Sequence, residues 1–154
     1  MYPTVALVRY RTHGLSRDAG GSVIAPNRIV GKVSREEVAV KFFAPPPERF
    51  LQALVTSGDL TPEQAQMAAE IPMAQDLTVE SDSGGHTDNR PALALLPTIL
   101  TQKVVCQKEY HYPMSLRVGL GGGIATPASA AAAFALGADY LVTGTVNQAC
   151  VESG

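Results

Sequence analysis

Residues that can bind an anion or move a proton follow each of four short apolar stretches of the sequence. They combine an ammonium group, an imidazole, a carboxylate, hydroxyls and several glycines. In chain order these residues are Lys32, Ser34, Glu80, Gly84, Gly85, His86, Gly122, Gly123, Gly144 and Thr145. If the apolar stretches are parallel strands, their carboxyl ends meet at one edge of a sheet. Such an edge can bind a phosphorylated cofactor and support proton chemistry beside it.

The loop Gly121-Gly122-Gly123 is the strongest candidate for phosphate binding. Glycine lets backbone N–H groups approach an anion closely, and a helix predicted to begin near Thr126 directs its positive end toward the same place. Gly144 and Thr145 offer a second such turn with a hydroxyl. The alternative is that these glycines only form tight turns between strand and helix. The spacing differs from the dinucleotide fingerprint G-x-G-x-x-G, which disfavours NAD in a Rossmann crevice.

His86 and Lys32 are the candidates for proton and charge chemistry. Two glycines precede His86 and leave its imidazole room to face a ligand, and histidine is a common general acid or base near neutral pH. Lys32 lies in an otherwise apolar stretch, so its ammonium needs an anion or a polar partner. The alternatives are a solvated or structural histidine and an edge lysine whose charged end reaches water.

The elements that must position these residues follow from the apolar pattern and the turn signals. Strands are predicted over residues 28–33, 76–80, 116–120 and 139–143, and helices over 91–110 and 126–136, with another helix beginning near 146. Residues 5–11 are interpreted as a further strand, and residues 18–21 as a turn. Strand, glycine-rich loop, capped helix and strand again is typical of a parallel α/β fold, either a barrel or a doubly wound sheet.

The first two of the four strands are separated by about 40 residues, several times the usual connection. Ser34 is predicted to cap a helix that the prolines at 45–47 end. Two more helices are predicted over residues 48–57 and 61–70, the second from the start signal Thr61-Pro62-Glu63. We therefore predict a helical insert over residues 35–75, with residues 1–34 and 76–154 forming the α/β part.

Composition narrows the classes of function. The chain has 154 residues, of which 45% are hydrophobic and 17% charged, enough for one buried core. Twelve basic and 14 acidic side chains give a near-neutral balance, so nucleic acid is not an expected partner. No apolar run reaches the roughly 20 residues of a membrane helix. The spacing of Cys106 and Cys150 is not that of metal ligands, so no bound metal is expected. Two cysteines are also too few for a disulfide scaffold, so we expect a reduced, cytoplasmic compartment.

Three segments carry a resemblance to a known family. They are APNRIVGKVSREEVA, TVESDSGGHTDNRPALALLPTIL and RVGLGGGIATPASAAAAFALGADYLVTGTVNQAC. They resemble the flavin-dependent enoyl reductases that act in trans in polyketide and polyunsaturated fatty acid synthases, within the nitronate monooxygenase (2-nitropropane dioxygenase) superfamily. The resemblance implies a TIM (β/α)8 barrel that binds FMN and carries a helical insertion. It also implies a catalytic role for His86. The cofactor-binding residues it implies are Lys32, Gly84, Gly85, Gly122, Gly123, Gly144 and Thr145.

The resemblance implies reduction of the double bond of enoyl thioesters on an acyl carrier protein, with NADPH as electron donor and synthase components as partners. Lys32 would stabilise negative charge on the flavin, and His86, or a water it positions, would supply a proton. Two alternatives remain open. One is nitronate oxidation by O₂ with His86 as base, and the other is a non-catalytic fragment or docking module.

A whole barrel of this kind needs about 250 residues, whereas this chain supplies about four βα units. We therefore expect a partial barrel, with two open strand edges and an exposed apolar face. Such a chain is expected to be a fragment of a longer enzyme or to pair with another chain, with self-association through its open edges.

Overall fold

The computed structural model of the chain describes residues 3–81 and 89–153. Its elements are α1 (Val5–Thr12), β1 (Ser16–Arg17), β2 (Val23–Ile24), β3 (Val30–Val33), α2 (Glu36–Phe43), α3 (Glu48–Thr56), α4 (Pro62–Ala68), β4 (Asp76–Glu80), α5 (Ala92–Tyr110), β5 (Arg117–Gly121), α6 (Pro127–Ala135), β6 (Tyr140–Val142) and α7 (Thr145–Gln148), followed by a 3-10 turn at Val151–Ser153. All four predicted strands are present, and helical sequence follows each of them.

The four strands β3, β4, β5 and β6 form one parallel sheet in that order. Its register pairs Lys32 with Thr78, Thr78 with Gly119, and Gly119 with Tyr140. Paired residues of a parallel sheet share a face, so these four form one row across the sheet. This arrangement confirms the predicted α/β class, a partial barrel of about four βα units with a helical insertion.

The opposite face of the sheet carries the core. Leu77, Val79 and Val118 are fully buried there, and α2 and α5 pack against the sheet. Phe43 from α2 and Ile99 from α5 are also fully buried. At about 25 cal/mol for each Å² of apolar surface removed from water, such side chains supply the main favourable term that holds helices and sheet together. The covered face thus fixes the strands and leaves the other face for a site.

The helix α1 corrects the prediction for residues 5–11, which are helical rather than a strand. The Thr4 side chain accepts a hydrogen bond from the Leu7 amide at 3.3 Å, which begins the helix. Val8, Arg11 and Thr12 are buried at the i, i+3, i+4 spacing of one helix face. The helix packs against α3 and α4. The tertiary contact therefore decides a segment whose local sequence is ambiguous.

Arg11 joins the N-terminal segment to the chain that enters β4. Its Nε donates to the Pro72 carbonyl at 3.0 Å, and its Nη1 donates to the Asn27 carbonyl at 2.6 Å. Burial, with a smaller effect of the charge on Arg28, lowers the pKa of the Arg11 guanidinium. Since arginine stays protonated in proteins, these bonds satisfy a buried cation.

Several start and turn signals are tested by the described residues. The predicted turn at 18–21 is confirmed, and Asp18 Oδ1 accepts hydrogen bonds from the amides of Gly20 and Ser22 there. The turn joins β1 to β2 in an antiparallel hairpin that was not predicted. Thr61 forms the predicted N-cap, with a reciprocal bond to Gln64. The predicted cap at Ser34 is wrong by one residue, because Arg35 holds the N-cap position of α2.

The three helices between β3 and β4 form two groups that contact different parts of the chain. The helix α2 packs against β3 and α5, whereas α3 and α4 pack against each other and α1. The limits predicted for the insert stay a prediction.

In the parts of the chain that the structure describes, no helix is both long and apolar enough to cross a membrane.

Candidate functional site

A cavity of about 590 Å³ lies at the carboxyl ends of the parallel strands. Its wall includes residues from the ends of all four strands and from the loops after β5 and β6. Five of the residues predicted to bind a cofactor line this cavity, namely Lys32, Gly122, Gly123, Gly144 and Thr145. The structure thus brings together residues that lie up to 113 positions apart, from 32 to 145. Parallel pairing places the strand ends at one edge, as the sequence predicted.

The loop after β5 has a backbone that favours glycine. Gly122 and Gly123 have φ values of 100° and 69°, in the left-handed region that other residues rarely adopt. This need for a tight turn explains the two glycines in part, which agrees with the alternative interpretation of the loop. Both also line the cavity, so the same backbone borders the space for a ligand.

Gly144, in the loop after β6, gives a separate test of the fit to a ligand. Its φ is −124°, and a Cβ placed there would meet no protein atom within 4 Å. Steric crowding by the protein therefore does not require glycine at this position. A residue without a side chain here leaves the cavity open beside Thr145, which fits a group that approaches the backbone closely.

The start of α6 uses several of its amides internally. Thr126 Oγ1 accepts from the Ser129 amide at 3.1 Å, and Ser129 Oγ accepts from the amides of Thr126 and Ala125 at 3.1 and 3.2 Å. These three N–H groups are therefore engaged within the capping box. The predicted contribution of this helix to anion binding therefore does not come from these three amides; the helix dipole still favours an anion near this end.

Lys32 forms an ion pair inside the cavity. Its Nζ lies 2.7 Å from Glu80 Oε1, and both residues line the cavity wall. The two are cross-strand neighbours, because Lys32 is in register with Thr78, two residues before Glu80. The sequence predicted that the ammonium needs an anionic or polar partner, and Glu80 is that partner. Residue 80 was placed at the strand ends by the sequence, but its pairing with Lys32 was not predicted.

Tyr140 covers part of the same sheet face as the ion pair, farther from the carboxyl ends of the strands than Glu80. The Tyr140 ring lies over Gly119, and its hydroxyl shares a 3.0 Å hydrogen bond with Thr78 Oγ1. Burial is the main cause that raises the pKa of Tyr140. One layer further from the strand ends, Arg117 Nη2 donates to Asp76 Oδ2 at 2.9 Å, and this bond raises the pKa of the guanidinium.

These lower layers were missed by the sequence reasoning. The sequence Arg117–Gly121 contains a signal for this close packing. Side chains alternate between the two faces of a strand, so Gly119 and Gly121 share a face with Arg117. Two glycines on one face of a strand indicate that something approaches that face closely. Which residue approaches Gly119 depends on the register with β6, which local sequence does not specify.

Ser81 holds the end of β4 against the end of β5. Its amide donates to the Gly121 carbonyl at 3.1 Å, and its hydroxyl donates to the same oxygen at 3.2 Å. The segment that follows contains the predicted site residues Gly84, Gly85 and His86, which lie outside the described residues. Their predicted roles, like the roles of the five cavity residues, stay predictions.

Comparison with known proteins identifies relatives of this arrangement. No protein-family model matches the chain. It is 54% identical over 153 residues to a polyunsaturated fatty acid synthase subunit of Thraustochytrium sp. and 47% identical over 150 residues to the polyketide biosynthesis protein PksE of Bacillus subtilis. A solved structure, the enoyl reductase domain of MlnA from the macrolactin biosynthesis cluster of Bacillus amyloliquefaciens, superposes with a TM-score of 0.92 at 40% identity over 98% of this chain.

Over almost its whole length the chain is similar to that enoyl reductase domain and to these synthase proteins. The predicted resemblance to enoyl reductases of polyketide and polyunsaturated fatty acid synthases is confirmed. The chain spans 10% of the fatty acid synthase protein, 20% of PksE and 34% of the solved MlnA chain. The wider grouping with nitronate monooxygenases stays an expectation of the sequence.

Proposed function

We propose that this chain forms part of an FMN-dependent enoyl reductase that reduces the double bond of enoyl thioesters carried on an acyl carrier protein. The observation that carries the proposal is the single cavity that joins Lys32 on β3 to the glycine loops after β5 and β6. The names of the relatives support enoyl reduction in polyketide or fatty acid synthesis. NADPH as donor, the carrier protein and a cytoplasmic location belong to the proposal.

The cavity fits a ligand with an anionic end and an uncharged end. Gly122 and Gly123 would face a phosphate with backbone amides, and Gly144 and Thr145 would add further amides and a hydroxyl. Lys32 lies on the other side of the cavity. Between β3 and β6 there are three strand spacings of about 4.8 Å each. An extended ligand such as a flavin mononucleotide can span that distance along the strand ends.

The chemistry that bound FMN supplies is transfer of hydride from NADPH to the β-carbon of the substrate double bond. The chain's own residues have three tasks beside it. The glycine loops bind the phosphate, and Lys32 is proposed to lie near the flavin ring, where its ammonium can donate a hydrogen bond to the ring although Glu80 offsets its charge at longer range. His86 is proposed to give the proton that the α-carbon gains, either directly or through a water.

Partners follow from the same proposal. Relatives of this chain are polyketide and polyunsaturated fatty acid synthase proteins, which supports synthase components as partners. The carrier protein would present the enoyl group at the mouth of the cavity, because the thioester is tethered and must reach the ligand.

The first experiment measures FMN binding and turnover. The purified chain is titrated with FMN, followed by flavin absorbance near 450 nm, and NADPH oxidation is recorded with a crotonyl thioester. Because the chain supplies only part of a barrel, we expect it to bind FMN weakly or not at all by itself, and we expect saturable FMN binding and thioester-dependent NADPH oxidation once the missing part is supplied. Oxygen consumption with a nitronate but no thioester reduction would favour the nitronate oxidase alternative.

A chimera separates a missing part from a wrong proposal. The chain replaces its aligned segment in the MlnA enoyl reductase domain, and the chimera is titrated and assayed in the same way. In the chimera, His86→Ala should keep FMN bound while thioester reduction falls by about 100-fold or more, the usual range for a lost general acid. A folded chimera that binds no FMN in the titration contradicts the proposal and favours a docking module.

A further inference from the structure

Charge is distributed unevenly around the cavity. On one side, at the ends of β3 and β4, Lys32 and Glu80 carry opposite full charges. On the other side, after β5 and β6, the wall consists of loops that contain Gly122, Gly123 and Gly144. Of the two charged residues, Glu80 lies nearer the glycine loops, because the register pairs it with Gly121 on β5.

The ion pair largely cancels the attraction of Lys32 for an anion. At 2.7 Å the ammonium and the carboxylate are in contact, so an anion that approaches Lys32 also approaches Glu80. Repulsion by Glu80 then offsets a large part of the attraction by Lys32, and the offset becomes more complete as the distance increases. Backbone amides in the glycine loops carry partial positive charge. A phosphate therefore gains more from the glycine side than from the side of the only cationic side chain described in the cavity wall.

The two partners of the ion pair are not equally exposed. The Lys32 side chain is 67% exposed, whereas the Glu80 side chain is 28% exposed. Glu80 lies on β4, which has a strand on each side, whereas Lys32 lies on β3 at the edge of the described sheet and its side chain has four rotatable bonds. Glu80 therefore determines where the ammonium lies, and its removal would free Lys32 for another anion.

We propose that Glu80 is a specificity-determining residue, which neutralises Lys32 and thereby directs the anionic end of a ligand to the glycine loops after β5 and β6. The proposal rests on the proposed function only in requiring that an anionic ligand enters this cavity. With the anion on the glycine side, the uncharged end of the ligand lies against the Lys32–Glu80 pair.

Inorganic phosphate is the probe for this proposal. Its dissociation constant is measured by ³¹P NMR titration for the chain and for Glu80→Gln, Lys32→Gln and the double variant. In Glu80→Gln the freed ammonium should raise phosphate affinity about fivefold. The double variant should lose this gain, because the gain depends on Lys32. An unchanged or weaker affinity in Glu80→Gln overturns the proposal.

A matched control removes one negative charge elsewhere. Glu70 pairs with Arg17, with Oε2 3.1 Å from Nη1, beside the β1–β2 hairpin. Glu70→Gln should leave phosphate affinity unchanged, whereas a gain equal to that of Glu80→Gln would attribute the effect to net charge and overturn the proposal. If Glu80→Gln does not fold by circular dichroism, Lys32→Gln decides. It leaves Glu80 without the ammonium and should weaken phosphate binding, so unchanged or tighter binding contradicts the proposal.

FMN and riboflavin distinguish this proposal from the proposed function. The two ligands differ in the phosphate, so the ratio of their dissociation constants reports how much the phosphate contributes. If Glu80→Gln gains affinity for inorganic phosphate while neither flavin binds the chain or the chimera, the proposed function fails and the role of Glu80 stands. If FMN binds and Glu80→Gln gains nothing for phosphate, the role of Glu80 fails and the proposed function stands.

Discussion

Tyr140 covers Gly119 on the face of the sheet that leads to the cavity, and each of the two residues requires the other. A Cβ at Gly119 would collide with the ring carbons of Tyr140. The ring in turn is held by the hydrogen bond that its hydroxyl shares with Thr78 Oγ1. A glycine inside a strand weakens the strand by itself, so its presence here is explained by the ring that takes its side-chain space.

Gly119→Ala should therefore destabilise the chain by about 1–3 kcal/mol, the usual cost of inserting a methyl group into a packed site. Urea unfolding measures the change. The matched control is Gly144→Ala, since a Cβ at Gly144 meets no protein atom within 4 Å and the free energy of unfolding should change much less. Combining Gly119→Ala with Tyr140→Ala should recover part of the loss, and a fully additive double variant would refute the proposed collision.

Helices α2 and α5 are joined by a buried tyrosine that follows α5. The Tyr112 hydroxyl donates to the Phe43 carbonyl at the end of α2, at 2.8 Å. That carbonyl belongs to the last turn of α2, where backbone acceptors have no partner within the helix. Burial raises the pKa of the Tyr112 hydroxyl well above its ordinary value near 10. The bond between these elements thus depends on a protonated phenol.

The pH dependence of stability follows from this shift. Because the pKa is raised in the folded chain, the contribution of Tyr112 is complete below about pH 10, the pKa of an unfolded tyrosine, and falls as the pH rises further. Tyr112→Phe should cost about 1 kcal/mol at pH 8, the typical net value of one hydrogen bond. It should also reduce the alkaline loss of stability, measured by urea unfolding between pH 8 and 11.

Tyr10→Phe is the control for that measurement, because the Tyr10 side chain is 51% exposed on α1. It should leave the alkaline slope of the unfolding free energy as it is in the unmodified chain. An alkaline slope that Tyr112→Phe does not change would show that other groups cause the loss of stability.

Across the whole molecule, the described sheet ends at β3 and β6, and its cavity face carries exposed apolar residues. Val30 on β3 is 61% exposed and Val142 on β6 is 46% exposed. Unpaired strand edges next to exposed apolar side chains favour pairing with another chain. The self-association predicted from the sequence is consistent with these edges and stays a prediction.

Sedimentation velocity at two concentrations tests it. We expect the purified chain to form dimers or larger species as its concentration rises, and Val30→Lys together with Val142→Lys to shift it toward the monomer. Val151→Lys is the matched control, because Val151 is 96% exposed outside the sheet and its substitution should not change association. A chain that stays monomeric at both concentrations contradicts the prediction.

Local sequence determined much of this protein. The strand Asp76–Glu80, the capping box at Thr61 and the glycine loops at the carboxyl ends of the strands all follow from short-range patterns. These features depend on backbone preferences and on alternation of apolar residues, both of which a few consecutive residues specify. The motifs were also specific enough to indicate the resemblance to enoyl reductases that the comparisons confirm.

Tertiary structure alone decided which distant residues meet. Glu80 as partner of Lys32 and Tyr140 as cover of Gly119 depend on the register between strands that lie far apart in the chain. In residues 5–12, Val8, Arg11 and Thr12 are buried and α1 contacts α3 and α4, so long-range contacts stabilise a helix that the sequence analysis did not predict. Pairing and packing are long-range interactions, so the charge balance of the cavity emerges only when the sheet is assembled.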